Sequence, residues 1–369
     1  MATVLHYVPR WLPLSQGFVH ALLRRSRHRA VVVSRRSLEN VEAFPLRPVH
    51  SLAALRETGS RWGHRPLSAA IAGLVIAHRV TLIHVHFGDI ATDVVGVGRV
   101  LRRPIVLSLH GSDVTALAQR APGHYDSLVP IVARVIVPSR FLADRARAVG
   151  FPAEAIEIIP AGVDIEFFSP TPLPDGDLEA LFVGRLVEKK GLDVLLDAWS
   201  TVERNLPEAQ LRVIGDGPLR DLLRSGKVKP IHELPEPGRR SVQVRDAIRR
   251  ATVVVQPSRT ATDGDAESML LVNLEAQASA RPVVTTHHGG IPEFVDEGAT
   301  AVLVPEGDPA ALADALVELL SDRKKAEHLA AAGPRWVQRF DARRCTARVD
   351  DVYDVVLREN RARGARRRA

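Results

Sequence analysis

The sequence predicts an α/β protein built from two doubly wound parallel sheets, each resembling a Rossmann domain. Short runs of β-branched residues alternate with longer amphipathic segments, which is the rhythm of βα units. These runs are continuously apolar, as expected for parallel strands that are covered on both faces. With 369 residues the chain is long enough for two such domains, and we expect them to face each other across a cleft.

Two series of strand-like runs define the predicted domains. The first series reads TVLHYV, HRAVVVS, TLIHVHF, RPIVLSLHG, ARVIVPS and AIEIIP, and the second reads LEALFVGRL, QLRVIGDG, ATVVVQPS, RPVVTT and TAVLVP. Between them lies PAGVDIEFFSPTPLPDGD, whose Pro, Gly and Asp residues are typical of a linker. The sequence therefore predicts an N-terminal domain over residues 1–165 and a C-terminal domain over residues 166–340.

Composition excludes several classes of protein. Hydrophobic residues make up 46% and charged residues 25%, which is typical of a globular chain rather than a disordered or fibrous one. The longest apolar stretch, Leu67 to Ala77, is shorter than the roughly 18 residues that a membrane-spanning helix needs. The single cysteine, Cys345, can form neither an internal disulfide nor a cysteine-based zinc cluster. Since no basic-then-apolar signal peptide opens the chain, we expect a cytoplasmic protein.

The formal charge of +7 is unevenly distributed along the chain. Residues 1–165 contain 20 Arg and no Lys against 11 acidic residues, which gives +9 there and −2 in the remainder. A basic domain of this kind attracts phosphate-bearing partners or an anionic membrane surface. Arginine-rich genomes produce the same bias, so both interpretations stay open.

The loop after the first strand contains a small turn before a helix. In open parallel sheets, ligands bind beyond the carboxyl ends of the strands. Ser15, Gln16 and Gly17 precede a predicted helix that begins near Phe18, and the free backbone N–H groups of such a turn can hold an anion. An ordinary helix start has the same residues, and this loop taken alone favours that interpretation.

The loop SLHGSDVT follows another strand of the first series. It places His110 at the carboxyl end of the strand, where an imidazole can exchange hydrogen bonds with a sugar hydroxyl or a phosphate. Packing alone would also explain this histidine, although we favour a functional role. For Asp113 we expect a capping role at the following helix.

The first strand of the second series leads into GRLVEKKG. Arg185 and Lys190 flank a turn and could clamp a diphosphate, the arginine through two hydrogen bonds and the lysine as a point charge. Gly184 permits a close approach of the backbone. The other charged residues of the turn, Glu188 and Lys189, are expected to be solvated.

The next strand ends in a tight turn, VIGDGPLRDLL, which contains Gly215 and Gly217. The turn is not a GxGxxG fingerprint, and no Walker lysine motif occurs in the chain. Hydride transfer on a dinucleotide and P-loop chemistry are therefore poorly supported.

Two glutamates lie in GDAESMLLVNLEAQASARPVV. Glu267 and Glu275 are eight positions apart, so on a helix with about 100° per residue both could lie on one face. Buried acids next to apolar residues need partners, and a carboxylate can accept hydrogen bonds from two neighbouring sugar hydroxyls. An exposed acidic stripe would have the same spacing.

Taken together, these motifs resemble family 4 retaining glycosyltransferases of the GT-B fold. The resemblance is carried, in order, by SQGF, HGSD, VPSRFLADRARAVG, IPAGVDIEFFSP, GRLVEKKG, GDGP, the pair of glutamates, LEAQASARPVVTT, HHGGIPEFV and LVPEGD. It covers nearly the whole chain and is greatest for the bacterial polysaccharide branch, including colanic-acid-type enzymes. Residues 341–369 resemble the last helix of the family, which crosses back to the N-terminal domain, and they end in a basic tail.

The resemblance implies a role for each catalytic candidate. Glu275 would hold the ribose hydroxyls of a sugar nucleotide, and Glu267 would contact hydroxyls of the transferred sugar. Arg185 and Lys190 would neutralise the diphosphate, and His110 would lie beside the transferred sugar.

The resemblance also assigns the other candidates. Gly184, Gly215 and Gly217 would belong to the donor site, and the turn from Ser15 to Phe18 would lie near the diphosphate and the acceptor. Backbone N–H groups of Ser268 and Met269 would face the leaving group or the sugar. The family usually has glycine where this chain has Ser268, a difference that bears on the identity of the donor.

The expected function is sugar transfer from a nucleotide-sugar donor to a glycan or lipid-linked acceptor, with retention of configuration. Fixed cations would stabilise the leaving diphosphate, so neither a metal nor another cofactor is expected. Nucleic acid is not an expected partner, whereas peripheral contact with an anionic inner-membrane face is. The alternatives are transfer to a small soluble metabolite, a nucleotide-sugar-binding subunit with little turnover, and, less favoured, a nucleotide-sugar epimerase.

Overall fold

The chain divides by its internal contacts into two units. The computed structural model describes residues 1–13, 16–57, 65–176, 178–225, 228–236 and 239–366. Unit 1 comprises residues 1–160 together with 343–369, and unit 2 comprises residues 161–342. The sequence-based limit at 165 lies slightly beyond this contact boundary.

Unit 1 is built around a seven-stranded parallel sheet with the order β3-β2-β1-β4-β5-β6-β7. Its strands are β1 (Thr3–Val8), β2 (Arg29–Ser34), β3 (Val49–Ser51), β4 (Leu82–His86), β5 (Ile105–Ser108), β6 (Val132–Val137) and β7 (Ile156–Ile158). Its helices are α1 (Gly17–Arg25), α2 (Ala53–Glu57), α3 (Arg65–Ala77), α4 (Val95–Leu101), α5 (Ala116–Arg120), α6 (Arg140–Ala148) and α13 (Ala342–Arg366). The central strands are buried on both faces, as their continuous apolar runs predict.

Helix α13 covers one face of the unit 1 sheet. Val352 and Tyr353 pack with Val4 and Leu82 of the central strands in one buried cluster. The helix is also held at its side, because the Asp350 carboxylate accepts hydrogen bonds from the loop between α1 and β2. The end of the chain therefore completes the core of the first unit.

Unit 2 contains a six-stranded parallel sheet with the order β10-β9-β8-β11-β12-β13. Its strands are β8 (Glu179–Val183), β9 (Gln210–Ile214), β10 (Ile231–Glu233), β11 (Val253–Gln256), β12 (Val283–Thr286) and β13 (Ala301–Val304). Its helices are α7 (Leu192–Asn205), α8 (Leu222–Ser225), α9 (Arg240–Arg250), α10 (Leu271–Ala278), α11 (Pro309–Ser321) and α12 (Arg323–Trp336). Strand β8 is buried along its whole length between two hydrophobic clusters, one on each face of the sheet.

The segment predicted as a linker is largely part of unit 2. Val163, Phe168 and Leu173 are buried, and the Val163 N–H donates to the carbonyl of Phe340. The linker prediction was wrong at these positions because the apolar residues among the prolines and glycines find partners far along the chain.

The apolar stretch from Leu67 to Ala77 forms most of α3. Helix α13 is the longest helix, but charged residues recur along it. Within the described ranges, no helix is both long and apolar enough to cross a membrane.

Candidate functional site

The turns after β8 and β9 pack backbone against backbone. The Gly184 N–H donates to the carbonyl of Ile214 over 3.0 Å. A Cβ on Gly215 would lie 2.0 Å from the Gly184 oxygen, and one on Gly217, at φ +153°, would lie 2.6 Å from the Leu186 oxygen. Only glycine fits at Gly215 and Gly217. The three glycines predicted for the donor site therefore lie in two turns that pack together at the carboxyl ends of neighbouring strands.

A charged cluster lies next to these turns. The Nζ of Lys190 lies 3.0 Å from Oε1 of Glu267, and the Nζ of Lys189 lies 3.3 Å from the same oxygen. Lys189 also pairs with Asp265 at 3.0 Å. Arg185 is close enough for its charge to act against the protonated form of both lysines, although it is the smallest of the influences on their pKa values. We call these five residues the charged centre of unit 2.

The prediction that Lys189 is solvated was wrong. Its side chain is buried, because the 3₁₀ turn Glu188–Lys190 directs it toward Asp265 and Glu267. The companion prediction for Glu188 agrees with its partial exposure and its hydrogen bond from Thr262. The run EKK does not indicate which of its charged side chains is buried, so the sequence could not distinguish Lys189 from Glu188.

Charge pairing keeps the centre ionised despite its burial. Burial acts to raise the pKa of Glu267, but the ammonium charges of Lys190 and Lys189 outweigh it and lower the pKa to about 2. Burial acts to lower the pKa of Lys189, yet the charges of Glu267 and Asp265 raise it. For Lys190 burial prevails and the pKa is lowered. Three cations against two carboxylates leave the centre with an excess of positive charge, which suits a phosphate ligand.

Glu267 lies before the helix, not on it. Helix α10 begins at Leu271, so the predicted alignment of both glutamates on one helical face was wrong. The Glu267 N–H donates to Nε2 of His288, and its carbonyl accepts from the N–H of Gly290. These bonds to a distant segment hold the residue outside the helix.

Glu275 is on α10 and half-buried. Burial raises the pKa of its carboxyl group, and the charge of Arg240 partly offsets this effect. No side chain in the described ranges forms a hydrogen bond with this carboxylate. Ser268, which is buried, and Met269, which is partly buried against the core, connect the two glutamates just before the helix.

In unit 1, His110 follows β5 and is surrounded by rings. Its ring centroid lies 5.0 Å from that of Phe18 and 4.5 Å from that of Phe87, and it stacks on His86 at 6.2 Å. Burial lowers its pKa to about 3, so the imidazole is neutral at pH 7. Its Nε2 is buried, and no described group forms a hydrogen bond with it. Phe87 adopts φ +80°, a strained conformation of the kind that clusters at functional sites.

Asp113 caps a turn between strands, not a helix as predicted. Its carboxylate accepts hydrogen bonds from the N–H groups of His110, Gly111 and Gly88 at 2.9 to 3.2 Å. Helix α5 begins only at Ala116. Burial nevertheless raises the pKa of Asp113 to about 6. The residue joins the loops after β4 and β5 and so fixes the backbone of His110.

The first loop of unit 1 starts α1 at Gly17, as expected. Gln16 is the N-cap but makes no side-chain capping bond, and its Oε1 is buried without a partner in the described part of the chain. Ser15 lies outside the described residues. Phe18 contacts His110, so two of the predicted unit 1 elements meet.

Three buried histidines are the group in the described residues whose ligand atoms are close enough for a metal. The nitrogens of His6, His84 and His86 lie within 4.8 Å of one another. Four of the six nitrogens are used in hydrogen bonds: His6 Nδ1 pairs with His86 Nε2 at 3.1 Å, and the two nitrogens of His84 pair with Tyr353 and Ser108, whereas Nδ1 of His86 is buried without a partner in the described part of the chain. A metal would have to replace these bonds, so the arrangement fits a neutral hydrogen-bonded network better. We call these three residues with His110 the histidine network.

Two family models match the chain. The model described as Glycosyltransferase Family 4 matches residues 18–167, and the model described as Glycosyl transferases group 1 matches residues 178–322. A colanic acid biosynthesis glycosyltransferase of Escherichia coli, WcaL, is 32% identical over 71% of this chain and 67% of its own length. The chain belongs to glycosyltransferase family 4. The predicted relationship to the colanic-acid-type branch is confirmed.

Other relatives extend the comparison of this family 4 glycosyltransferase. A GDP-mannose-dependent phosphatidylinositol monomannoside mannosyltransferase of Mycolicibacterium smegmatis is 32% identical over 63% of this chain and 65% of its own length. The crystal structure of Anabaena HepE in complex with UDP-glucose covers 96% of this chain and 100% of its own, with a TM-score of 0.79 and 18% identity. The predicted GT-B fold is confirmed.

Several residues of the site were missed from the sequence. Lys189, Asp265 and His288 all contact Glu267 or its partners, and Phe87 packs on His110. The run TATDGDAE ends at Glu267 and contains two further acidic residues. This concentration of acids was the available signal that a buried cation would be needed nearby. Phe87 carries no such signal, because the residues HFGD around it do not indicate that its φ is positive.

Proposed function

We propose that this chain is a metal-independent retaining hexosyltransferase that moves a sugar from a nucleotide-sugar donor to a hydroxyl of a glycan or lipid-linked oligosaccharide. The supporting observation is the charged centre of unit 2 beside the glycine turns. When a nucleoside diphosphate leaves, negative charge builds on its phosphate, and cations already fixed in position lower the barrier. In this proposal Arg185 and Lys190 supply that charge.

The two glutamates bind hydroxyl groups. The Glu275 carboxylate has no protein hydrogen-bond partner among the described residues, which leaves both oxygens free for the neighbouring hydroxyls of a ribose. Glu267 takes hydroxyls of the transferred sugar, and the N–H groups of Ser268 and Met269 face the diphosphate or the sugar. In unit 1, the neutral His110 hydrogen-bonds the substrate through Nε2, which has no described partner.

The proposed reaction needs no carboxylate nucleophile. The acceptor hydroxyl attacks the anomeric carbon on the face of the departing diphosphate, the bond from that carbon to the diphosphate oxygen breaks, and the acceptor proton passes to a diphosphate oxygen. A carboxylate with a pKa of about 2, paired with two ammonium groups, is a weak base. This supports a binding role for Glu267, unlike the paired carboxylates of glycoside hydrolases.

The names of relatives suggest donors and acceptors to test. One relative is named for colanic acid biosynthesis, another is named as GDP-mannose-dependent, and a structural neighbour binds UDP-glucose. We infer a role in cell-surface polysaccharide biosynthesis, in the cytoplasm or at the inner face of the membrane. The basic N-terminal half supports contact with anionic lipid. Flotation with acidic vesicles at moderate salt tests this, and a protein that stays at the bottom of the gradient argues against it.

The proposed function is tested by replacing the central cation. Lys190→Ala should lower kcat/KM with UDP-glucose or GDP-mannose by about 10²- to 10³-fold, the usual cost of losing one fixed group that stabilises the transition state. Lys324→Ala, at an exposed position of α12, is the matched control and should leave the rate unchanged. The wild type should also retain its activity in EDTA.

Other outcomes separate the alternatives. Tight binding of a nucleotide sugar without transfer or slow hydrolysis would identify a binding subunit. Transfer to small soluble acceptors but not to glycans would favour the metabolite alternative. Activity that EDTA abolishes and Mg²⁺ restores would overturn metal independence.

A further inference from the structure

The loop between β11 and α10 is closed by two side chains from elsewhere in unit 2. At its start, the N–H and Oγ1 of Thr260 donate to the Glu306 carboxylate at 2.9 and 3.2 Å. At its end, the Glu267 N–H donates to Nε2 of His288 at 3.0 Å. The two closures are joined, because Nδ1 of His288 lies 2.5 Å from Oε2 of Glu306. One connected path therefore links the two ends of the loop that carries Glu267.

The hydrogen bonds select one form of His288. A backbone N–H can only donate, so Nε2 must be the unprotonated nitrogen that accepts from Glu267. Nδ1 then carries the hydrogen and donates it to the Glu306 carboxylate. The side chain of His288 is buried, with 2% of its surface exposed, whereas Glu306 is 41% exposed. A carboxylate that fixes the tautomer and orientation of an imidazole is a common arrangement behind a functional residue.

Glu267 is thereby held from two directions. Its backbone is held by His288 and by the Gly290 N–H, which donates to the Glu267 carbonyl at 3.1 Å. Its carboxylate is held by Lys189 and Lys190. The lysines alone would permit the oxygen atoms to follow movements of the loop, whereas the backbone contacts fix where the side chain starts.

We propose that His288 and Glu306 are positioning residues for the donor sugar. They keep Glu267 at the place where it meets sugar hydroxyls, and so determine both the rate of sugar transfer and the discrimination between donor sugars. This inference rests on the proposed function for the role of Glu267. Because neither residue belongs to the charged centre, binding of the nucleoside diphosphate alone should not depend on them.

The experiment compares two neighbouring histidines. His288→Phe keeps an aromatic ring but removes both hydrogen bonds, and His288→Gln keeps an amide oxygen that can accept the Glu267 N–H. His287→Phe is the matched control, since the His287 side chain is half-exposed and its ion pair among the described residues is with Glu297. The readouts are kcat and KM for UDP-glucose and GDP-mannose, the Kd for UDP and GDP, and hydrogen exchange of the Glu267 amide.

The expected result is a loss of sugar transfer with little change in nucleotide binding. His288→Phe should lower kcat by about 10- to 100-fold, because a small misplacement of a substrate-binding group has effects of that size. The Kd for UDP or GDP should stay within about threefold of wild type. Hydrogen exchange of the Glu267 amide should accelerate. His288→Gln should recover at least part of the rate, and Glu306→Ala should resemble a milder His288→Phe.

Two results would overturn the positioning role. One is a His288→Phe protein with near wild-type kcat, and the other is a loss of nucleotide binding that parallels the loss of rate, as a general structural defect would give. If the wild type neither transfers nor hydrolyses any donor, the proposed function fails. Amide exchange and the difference in Kd between UDP-glucose and UDP then still decide whether His288 holds Glu267 for the sugar.

Discussion

The charged centre of unit 2 and the histidine network of unit 1 bury polar groups of opposite kinds. Unit 2 buries ions, with Lys189, Lys190 and Glu267 paired at about 3 Å, whereas unit 1 buries a network of neutral histidines. The sequence has the same bias: all six lysines lie within residues 161–342, and ten of the 14 histidines lie within residues 1–160. The charged centre tolerates burial by charge pairing, whereas the histidine network tolerates it by loss of charge. The units should therefore fail under different perturbations.

The largest effect is expected when the charged centre loses its shared carboxylate. Glu267→Met keeps the volume but leaves two buried ammonium groups without their common partner, and breaking a buried pair in this way costs about 3–5 kcal/mol. Hydrogen exchange followed by mass spectrometry should detect the loss in peptides from 161–342 and not in those from 1–160. Glu208→Met, at an exposed position, is the control. Equal loosening of both units would contradict the distinction.

Mild acid should have the opposite effect and destabilise unit 1 more than unit 2. The pKa values of His6 and His110 are lowered to about 3 by burial, and those of His84 and His86 are also lowered, so between pH 6.5 and 3 the unfolded chain binds protons that the folded chain does not. Their stabilising contribution is complete above pH 6.5 and is lost as the pH falls. At pH 5.5 His6 and His110 would each cost about 1 kcal/mol relative to pH 7, and His84 and His86 add to this loss.

Asp113 works in the opposite direction in the same unit. Its pKa is raised to about 6, so its protonation below pH 6 stabilises the folded state by about 1 kcal/mol at pH 5.5. Because four histidines act against this one carboxyl group, a net loss of stability is left for unit 1. Glu267, with its pKa of about 2, begins to destabilise unit 2 only below about pH 4.5. Urea unfolding at pH 7 and 5.5, monitored by hydrogen exchange in each unit, measures the difference, and a greater loss in unit 2 would refute it.

The smallest effect is expected for a single bond of the histidine network. Tyr353→Phe removes the hydroxyl that pairs with Nδ1 of His84 at 2.6 Å while keeping the ring in its place. A buried hydrogen bond of this type contributes about 1 kcal/mol. The midpoint of urea unfolding for unit 1 should decrease accordingly, with unchanged donor binding. A change above about 3 kcal/mol would mean that the network acts as a unit rather than as separate bonds.

The fold was largely predictable, because its information is local. Every strand-like run of both series forms a strand, since continuous apolar runs report burial directly. The two missed strands, β3 and β10, have only three residues each and lie at sheet edges, with the sequences VHS and IHE. Half-paired edge strands need no apolar run, so the sequence carries little signal for them.

The site was less predictable, because its decisive contacts are not local. The position of Glu267 depends on His288 and Gly290, more than twenty residues later in the chain, and a helical spacing argument cannot include them. Lys189 was misassigned for the same reason, since its partners lie in the loop before α10. The tight turn at Gly215 and Gly217 was predictable as a turn, because a close backbone approach restricts the residue type at the position itself.

Because helix α13 belongs to unit 1 but is translated last, the two units are completed at different times during synthesis. Unit 2 is continuous in sequence, so all its residues have been translated once Ala342 is made. Unit 1 is discontinuous, and the part of its sheet that carries Val4 and Leu82 lacks its packing partners Val352 and Tyr353 until these residues have left the ribosome. The first half of the chain to be made is therefore the last to be completed, and an apolar sheet surface must stay protected from aggregation while the second half folds.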